Sequence, residues 1–330
     1  MTTSLDQKVF MDSKPIFTSL CYVHCNAEGD TIAFEKALSL AVEMHASLDI
    51  IAVLDEVPHQ LLERLASLGA DASLLVDESE RAERLEALAS TARSRGVTTS
   101  TRVMRGAFFV KIMERVSECR HDLVIKGTEH ANFIHQVFFG HLDRQLIRKC
   151  PCPVWIENPA VWSRRGRIVA AVDTAPYQED QESSPDLESL NVEILETAVS
   201  IAKAFGAELH VVHVWSFDLE TKLRGHIELS ETMIAEYGES IRRDHLQAFT
   251  ALISPYMHEI TGMQLLKGHA GEQIARLATE EAMDVIVMGT ACRTGIAGIL
   301  IGNTAETVLD QVACSVVALK PRGYRVDLLH

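Results

Sequence analysis

Two stretches decide the fold: Asp122 to Thr128, reading DLVIKGT, and Asp284 to Thr290, reading DVIVMGT. Each opens on an aspartate, runs through a short apolar segment and closes on Gly-Thr, and the second follows the first by 162 residues. The same offset sets Gly106 on Gly268, Ile112 on Ile274, Gly140 on Gly302 and Cys152 on Cys314. Earlier in each half the offset is 161, placing Ala37-Leu38-Ser39 over Ala198-Val199-Ser200 and Leu48 over Leu209. A constant offset held over this distance marks an internal repeat. The 330 residues therefore divide into two copies of one unit, 1–157 and 158–330, joined in the polar and basic stretch from Asn158 to Arg167.

Within a copy the apolar period alternates between strand-like and helix-like. Strands are predicted over Ile16 to Val23, Asp49 to Val53, Thr99 to Met104, Leu123 to Lys126 and Val154 to Ile156. In the second copy they fall at Ile168 to Val172, Leu209 to Trp215, Gln264 to Lys267, Val285 to Met288 and Val316 to Leu319. Continuous rather than alternating apolar runs imply strands buried on both faces, hence a parallel sheet covered by helices on each side. The expected architecture is α/β, a Rossmann-like five-stranded parallel sheet in each copy. The last strands, ending at Ile156 and Leu319, should help to join the copies; one continuous mixed sheet is the outcome that counts against the repeat. The acidic insert from Gln178 to Pro185 reads as a loop, Glu78 to Arg95 as a solvated amphipathic helix, and Glu220 to Leu252 as one or two helices covering the sheet.

A net charge of −15 argues against a duplex nucleic-acid partner, whose phosphates call for clustered Lys and Arg. The opening MTTSLDQKVFMDSK does not read as a signal peptide, and no apolar stretch approaches the roughly 20 residues that span a bilayer. The seven cysteines are accordingly expected in a reducing compartment, the cytoplasm. Cys150-Pro151-Cys152 is spaced too tightly for a zinc knuckle, and with Cys21 and Cys25 it reads as structural thiols.

Open α/β sheets bind ligands beyond the carboxyl ends of their strands. In the second copy those ends supply Ala171, Val172 and Asp173, then Val214 and Gly268, then Met288, Gly289 and Thr290, followed by Cys292 and Arg293. Gly302 precedes a helix whose apolar residues are Ala305, Val308, Leu309 and Val312, so Gly302, Asn303 and Thr304 form a helix N-terminus suited to an anion such as phosphate. Arg293 adds a charge-assisted donor. The alternative is that these glycines merely close turns and pack helices.

Gly289-x-x-Cys292, nine residues, then Gly302-Asn303 resembles the nucleotide-binding pattern of the ATP-binding universal stress proteins. The likeness covers nearly the whole chain as two domains, and Gly302-Asn303-Thr304-Ala305-Glu306 is similar to the tandem group called universal stress protein E. It implies the nucleotide-binding α/β fold of that family in both copies, with ATP or a related nucleotide as ligand and Asp173 contacting the nucleoside. It also implies pairing of the two copies, and of chains as homodimers. Cys292 departs from the pattern by adding a side chain where a glycine passes the phosphates, and Asn303 replaces a hydroxyl residue with an amide that still donates. In the first copy the pattern decays to Gly127-x-x-His130 and Gly140-His141, and the first strand ends in Val23-His24-Cys25 without an aspartate. His130 and His141 read as solvated loop histidines rather than metal ligands, and His210 and His213, at odd spacing in a strand, face opposite sides.

The sequence thus points to a stress-response regulatory binding protein that reads a nucleotide or another phosphorylated metabolite in its second copy, the first serving as built-in partner. The alternatives are a weak nucleotide-hydrolysing enzyme, for which no Ser/His/Asp or paired-carboxylate arrangement speaks, and an interaction scaffold with no ligand.

Overall fold

The computed structural model of the protein describes residues 16–25, 30–56, 78–128, 139–158, 165–174, 185–217, 230–290 and 301–321, with positions 60, 64, 67 and 68. The first copy contains β1 (Ser19–Val23), α1 (Asp30–Met44), β2 (Ser47–Leu54), α2 (Glu78–Ser94), β3 (Thr99–Arg105), α3 (Phe108–Cys119), β4 (Leu123–Gly127), α4 (His141–Lys149) and β5 (Val154–Glu157). The second contains β6 (Arg167–Val172), α5 (Pro185–Phe205), β7 (Glu208–Trp215), α6 (Glu231–Ile253), β8 (Gly262–Lys267), α7 (Ala270–Glu280), β9 (Val285–Gly289), α8 (Asn303–Gln311) and β10 (Ser315–Leu319). Pro185, expected in the insert loop, instead begins α5, a position where its missing N–H costs nothing. Residues 178–184 lie outside the described residues, as do 220–229 of the segment before α6.

The strands form a single ten-stranded sheet in the order β3-β2-β1-β4-β5-β10-β9-β6-β7-β8. Strands pair in parallel within each copy, and β5 meets β10 antiparallel, with Ile156 opposite Val316. This corrects the expectation of two separate sheets, and a continuous mixed sheet was the outcome set against a repeat. The repeat survives because the antiparallel pair lies at the seam and the order reads the same outward on either side: β5-β4-β1-β2-β3 and β10-β9-β6-β7-β8. Two equal edge strands related by a twofold-like rotation can pair only antiparallel, so the mixing is a consequence of the duplication.

Side chains alternate through the sheet. Leu20 and Tyr22 face the core closed by α1, α2, α5 and α6, whereas Cys21 and Val23 face the core closed by α3, α4, α7 and α8. At the seam, Trp155 Nε1 and Ser315 Oγ each donate to Glu157 Oε2 at 2.8 Å. Arg144–Asp310 at 2.6 Å and Arg148–Glu306 at 2.7 Å tie α4 to α8.

The two stretches that define the repeat also hydrogen-bond alike. Asp122 Oδ2 accepts from Thr18 N–H and Asp284 Oδ2 from Arg167 N–H, both at 2.7 Å, fixing the entry of the neighbouring strand. The N–H groups of Thr128 and Thr290 donate to the carbonyls of Glu157 and Leu319, both at 2.9 Å.

Candidate functional site

Beyond the carboxyl ends of β6, β7 and β9 opens a cavity of about 560 Å³, within the range of roughly 300–1,000 Å³ usual for small-ligand sites. Ten of the residues read from sequence line it: Ala171, Val172, Asp173, Val214, Gly268, Met288, Gly289, Gly302, Asn303 and Thr304. Thr290 does not. Its N–H and hydroxyl both bond the Leu319 carbonyl, at 2.9 and 3.1 Å, and its own carbonyl accepts Gly302 N–H at 3.1 Å, so it anchors the loop ends rather than facing the cavity. Cys292 and Arg293 lie outside the described residues, as does His130 in the first copy.

The sequence reading missed the wall supplied by α5, namely Leu190, Asn191 and Ile194, together with Ser216, His269, Ala270, Ile274 and Ala305. The α5 residues look like an ordinary core face. One signal was present, a lone asparagine between Leu190 and Ile194. Asn191, only 7% exposed, donates to the Asp173 carbonyl at 2.8 Å and accepts Asp173 N–H at 2.9 Å, which holds the end of β6 against α5. The first copy places Asp30 in the same role, accepting Cys25 N–H at 2.9 Å.

Two helix N-termini converge on the cavity. Among the described residues, neither the N-cap of α7, His269, nor that of α8, Gly302, supplies a side-chain hydrogen bond, and the first-turn N–H groups of both helices lie at the cavity end. Both macrodipoles favour negative charge there. Gly268, at φ +138°, occupies a conformation that side chains rarely adopt. Gly271 lets the helices approach: a Cβ there would lie 2.5 Å from Thr307 Cβ. Gly302 has φ −64°, open to any residue, so its contribution is space at the cavity wall rather than backbone freedom.

In the first copy the equivalent place carries an internal ion pair. Lys126 stands where Met288 does and Asp143 where Ala305 does; both are fully buried, with Nζ 2.8 Å from Asp143 Oδ1. Asp143 Oδ2 accepts Gly140 N–H at 2.9 Å, so α4 carries its own carboxylate at its N-terminus. Phe109 occupies the position of Gly271.

His210 and His213 do face apart, and His213 Nε2 lies 2.8 Å from His245 Nδ1. Burial pushes the Cys314 thiol up to about 12 and raises Cys21, consistent with structural roles, and the Cys150 and Cys152 sulfurs are 3.5 Å apart. Among the described residues, no helix is long and apolar enough to cross a membrane.

A parallel α/β unit, duplicated, joined through its last strands and open at its strand ends, defines a tandem Rossmann-like protein. The model of the Universal stress protein family matches residues 22–156 and 186–320, and the chain belongs to that family. It is 31% identical over 221 residues to universal stress protein E of Escherichia coli K12, covering 67% of each chain. It is 30% identical to the universal stress protein E homolog of Haemophilus influenzae, over 64% of this chain and 65% of that one. Among solved structures, a functionally unknown protein from Pseudomonas aeruginosa PAO1 shares the fold with a TM-score of 0.69 at 24% identity, covering 94% and 95% of the two chains. A universal stress protein from Archaeoglobus fulgidus aligns with a TM-score of 0.57 at 18% identity, covering 92% and 98%.

Proposed function

We propose that the second copy binds a nucleotide of the ATP class, or a related phosphorylated metabolite, and that the protein is a cytoplasmic regulatory binder rather than an enzyme. The observation that carries this reading is the meeting of two uncapped helix N-termini, at His269 and Gly302, on one cavity. They suit phosphates, while Leu190, Ile194, Val214 and Met288 offer apolar walls for a base and Asp173 and Asn191 sit where a sugar's hydroxyls would be read. Among the described lining residues Asp173 is the one carboxylate, so the cavity supplies no acid–base carboxylate pair for catalysis. The first copy, whose equivalent helix end is capped by Asp143, serves as the partner that completes the sheet.

Native mass spectrometry of the gently purified full chain tests this reading. It is expected to show one phosphorylated adduct per chain, or to acquire one on incubation with ATP, ADP or cAMP. A chain that carries none and takes up none of the three contradicts it.

A further inference from the structure

At the other end of the strands, by the amino ends of β1, β2 and β4, the first copy gathers Asp49, Cys119 and His121, each with a potential ligand atom within 4.8 Å of the other two. His121 Nε2 is already 3.2 Å from Asp49 Oδ2. We propose that these three residues form a binding site for a divalent cation of the zinc class, independent of the nucleotide reading.

The ligand chemistry is that of such an ion, which takes imidazole nitrogen, thiolate sulfur and carboxylate oxygen together. A tetrahedral zinc ion wants its ligand atoms roughly 3.5 Å apart, so the cluster must close by about 1 Å. Cys119 ends α3 and is half-buried, so its side chain can make that movement and leaves a route of entry. On binding, the thiol proton passes to solvent and the fourth position stays open to water.

Outer groups are also in place. Ser19 Oγ lies 2.9 Å from His121 Nδ1, and with the ion bound it accepts the Nδ1 proton and leaves the Nε2 lone pair for the metal. Ser100 Oγ donates to the other oxygen of Asp49. Hydrogen bonds from His121, Arg115 and Ser100 all converge on the Asp49 carboxylate. Arg115 Nε, 2.7 Å from Asp49 Oδ2, is the competitor that an incoming cation must displace.

The repeat supplies an internal control. The chain turns between Cys119 and His121 through Arg120 at φ 53°, and the second copy makes the same turn through Ala282 at φ 47°. On that turn it carries Glu281 and Met283, and His210 stands at the position of Asp49. Glu281 is engaged by Gln264 at 2.6 Å and Met283 is buried in apolar surroundings. The turn belongs to the fold; the ligand trio belongs to the first copy.

Titration of the reduced full chain with Co2+ tests the site. Wild type is expected to show a thiolate-to-cobalt charge-transfer band that Zn2+ abolishes by displacement. Cys119→Ser should lose the band, the double variant Cys150→Ser/Cys152→Ser should keep it, and Arg115→Gln should bind Co2+ more tightly. Circular dichroism of each variant separates loss of ligand from loss of fold. No band in wild type, a band that persists in folded Cys119→Ser, or one that disappears in the folded double variant overturns the assignment.

Discussion

Lys126 Nζ lies 2.8 Å from Asp143 Oδ1, both side chains wholly out of water, at the two positions that Met288 and Ala305 fill in the second copy. One fold thus carries two chemistries at the same place: a buried ion pair whose carboxylate also bonds the start of a helix, and a pair of apolar residues beneath the corresponding helix.

Breaking a buried pair by removing one partner costs about 3–5 kcal/mol, because the remaining charge is stranded, whereas replacing both with apolar groups is often neutral. Lys126→Met and Asp143→Ala should each fall in that range by urea denaturation. The double variant, which imports the second copy's residues, should recover most of the loss. Additive single effects would show that the two charges are not coupled.

Asn191 fastens both backbone groups of Asp173 and is the neutral counterpart of Asp30. Asn191→Leu should destabilise the protein by about 1–3 kcal/mol, the cost of leaving buried polar groups unpaired. Asn191→Asp keeps the acceptor for Asp173 N–H though it loses the donor to the Asp173 carbonyl, so it should cost less stability than Asn191→Leu, yet add a negative charge to the cavity proposed to hold an anionic ligand and weaken ATP binding. Thermal melts and calorimetry on the same pair of variants separate the two effects, and equal ATP affinity in wild type and Asn191→Asp would remove Asn191 from the site.

Acid sensitivity follows from Asp49, whose carboxyl is held well below the usual carboxylate range despite burial by bonds from His121, Arg115 and Ser100. A carboxyl depressed in the folded state stabilises above its unfolded value of about 3.9, and that contribution is lost as pH falls through the folded value. Asp49→Asn should therefore be much less stable than wild type near neutral pH. The gap between their denaturation midpoints should narrow progressively below about pH 4. A gap that is constant with pH would mean that the Asp49 charge is not what the pair contributes.

Much of this arrangement was legible in the chain. The paired DLVIKGT and DVIVMGT stretches announced both the duplication and the β4 and β9 strands, because a buried parallel strand leaves a continuous apolar run. The ends of β6, β7 and β9 could be placed for the same reason, and the start of α8 at Gly302 from the helical period that follows it. What escaped was lateral: the last strands were expected to join the copies, but their pairing into one continuous sheet, like the place of α5 over the cavity, arises from packing between segments far apart in sequence. Lys126 and Asp143 escaped too, since a lysine in a strand and an aspartate in a first helical turn look solvated until the fold buries them together.

The central claim, that ligand enters the second copy and not the first, is tested most directly by calorimetric titration of the full chain with ATP in wild type, Gly302→Val and Gly140→Val. Wild type should bind one ATP per chain, Gly302→Val should lose at least roughly a hundredfold in affinity as its side chain intrudes on the N–H groups of α8, and Gly140→Val should bind as wild type does. Two ATP per chain, or loss of binding in Gly140→Val with Gly302→Val unaffected, would contradict it.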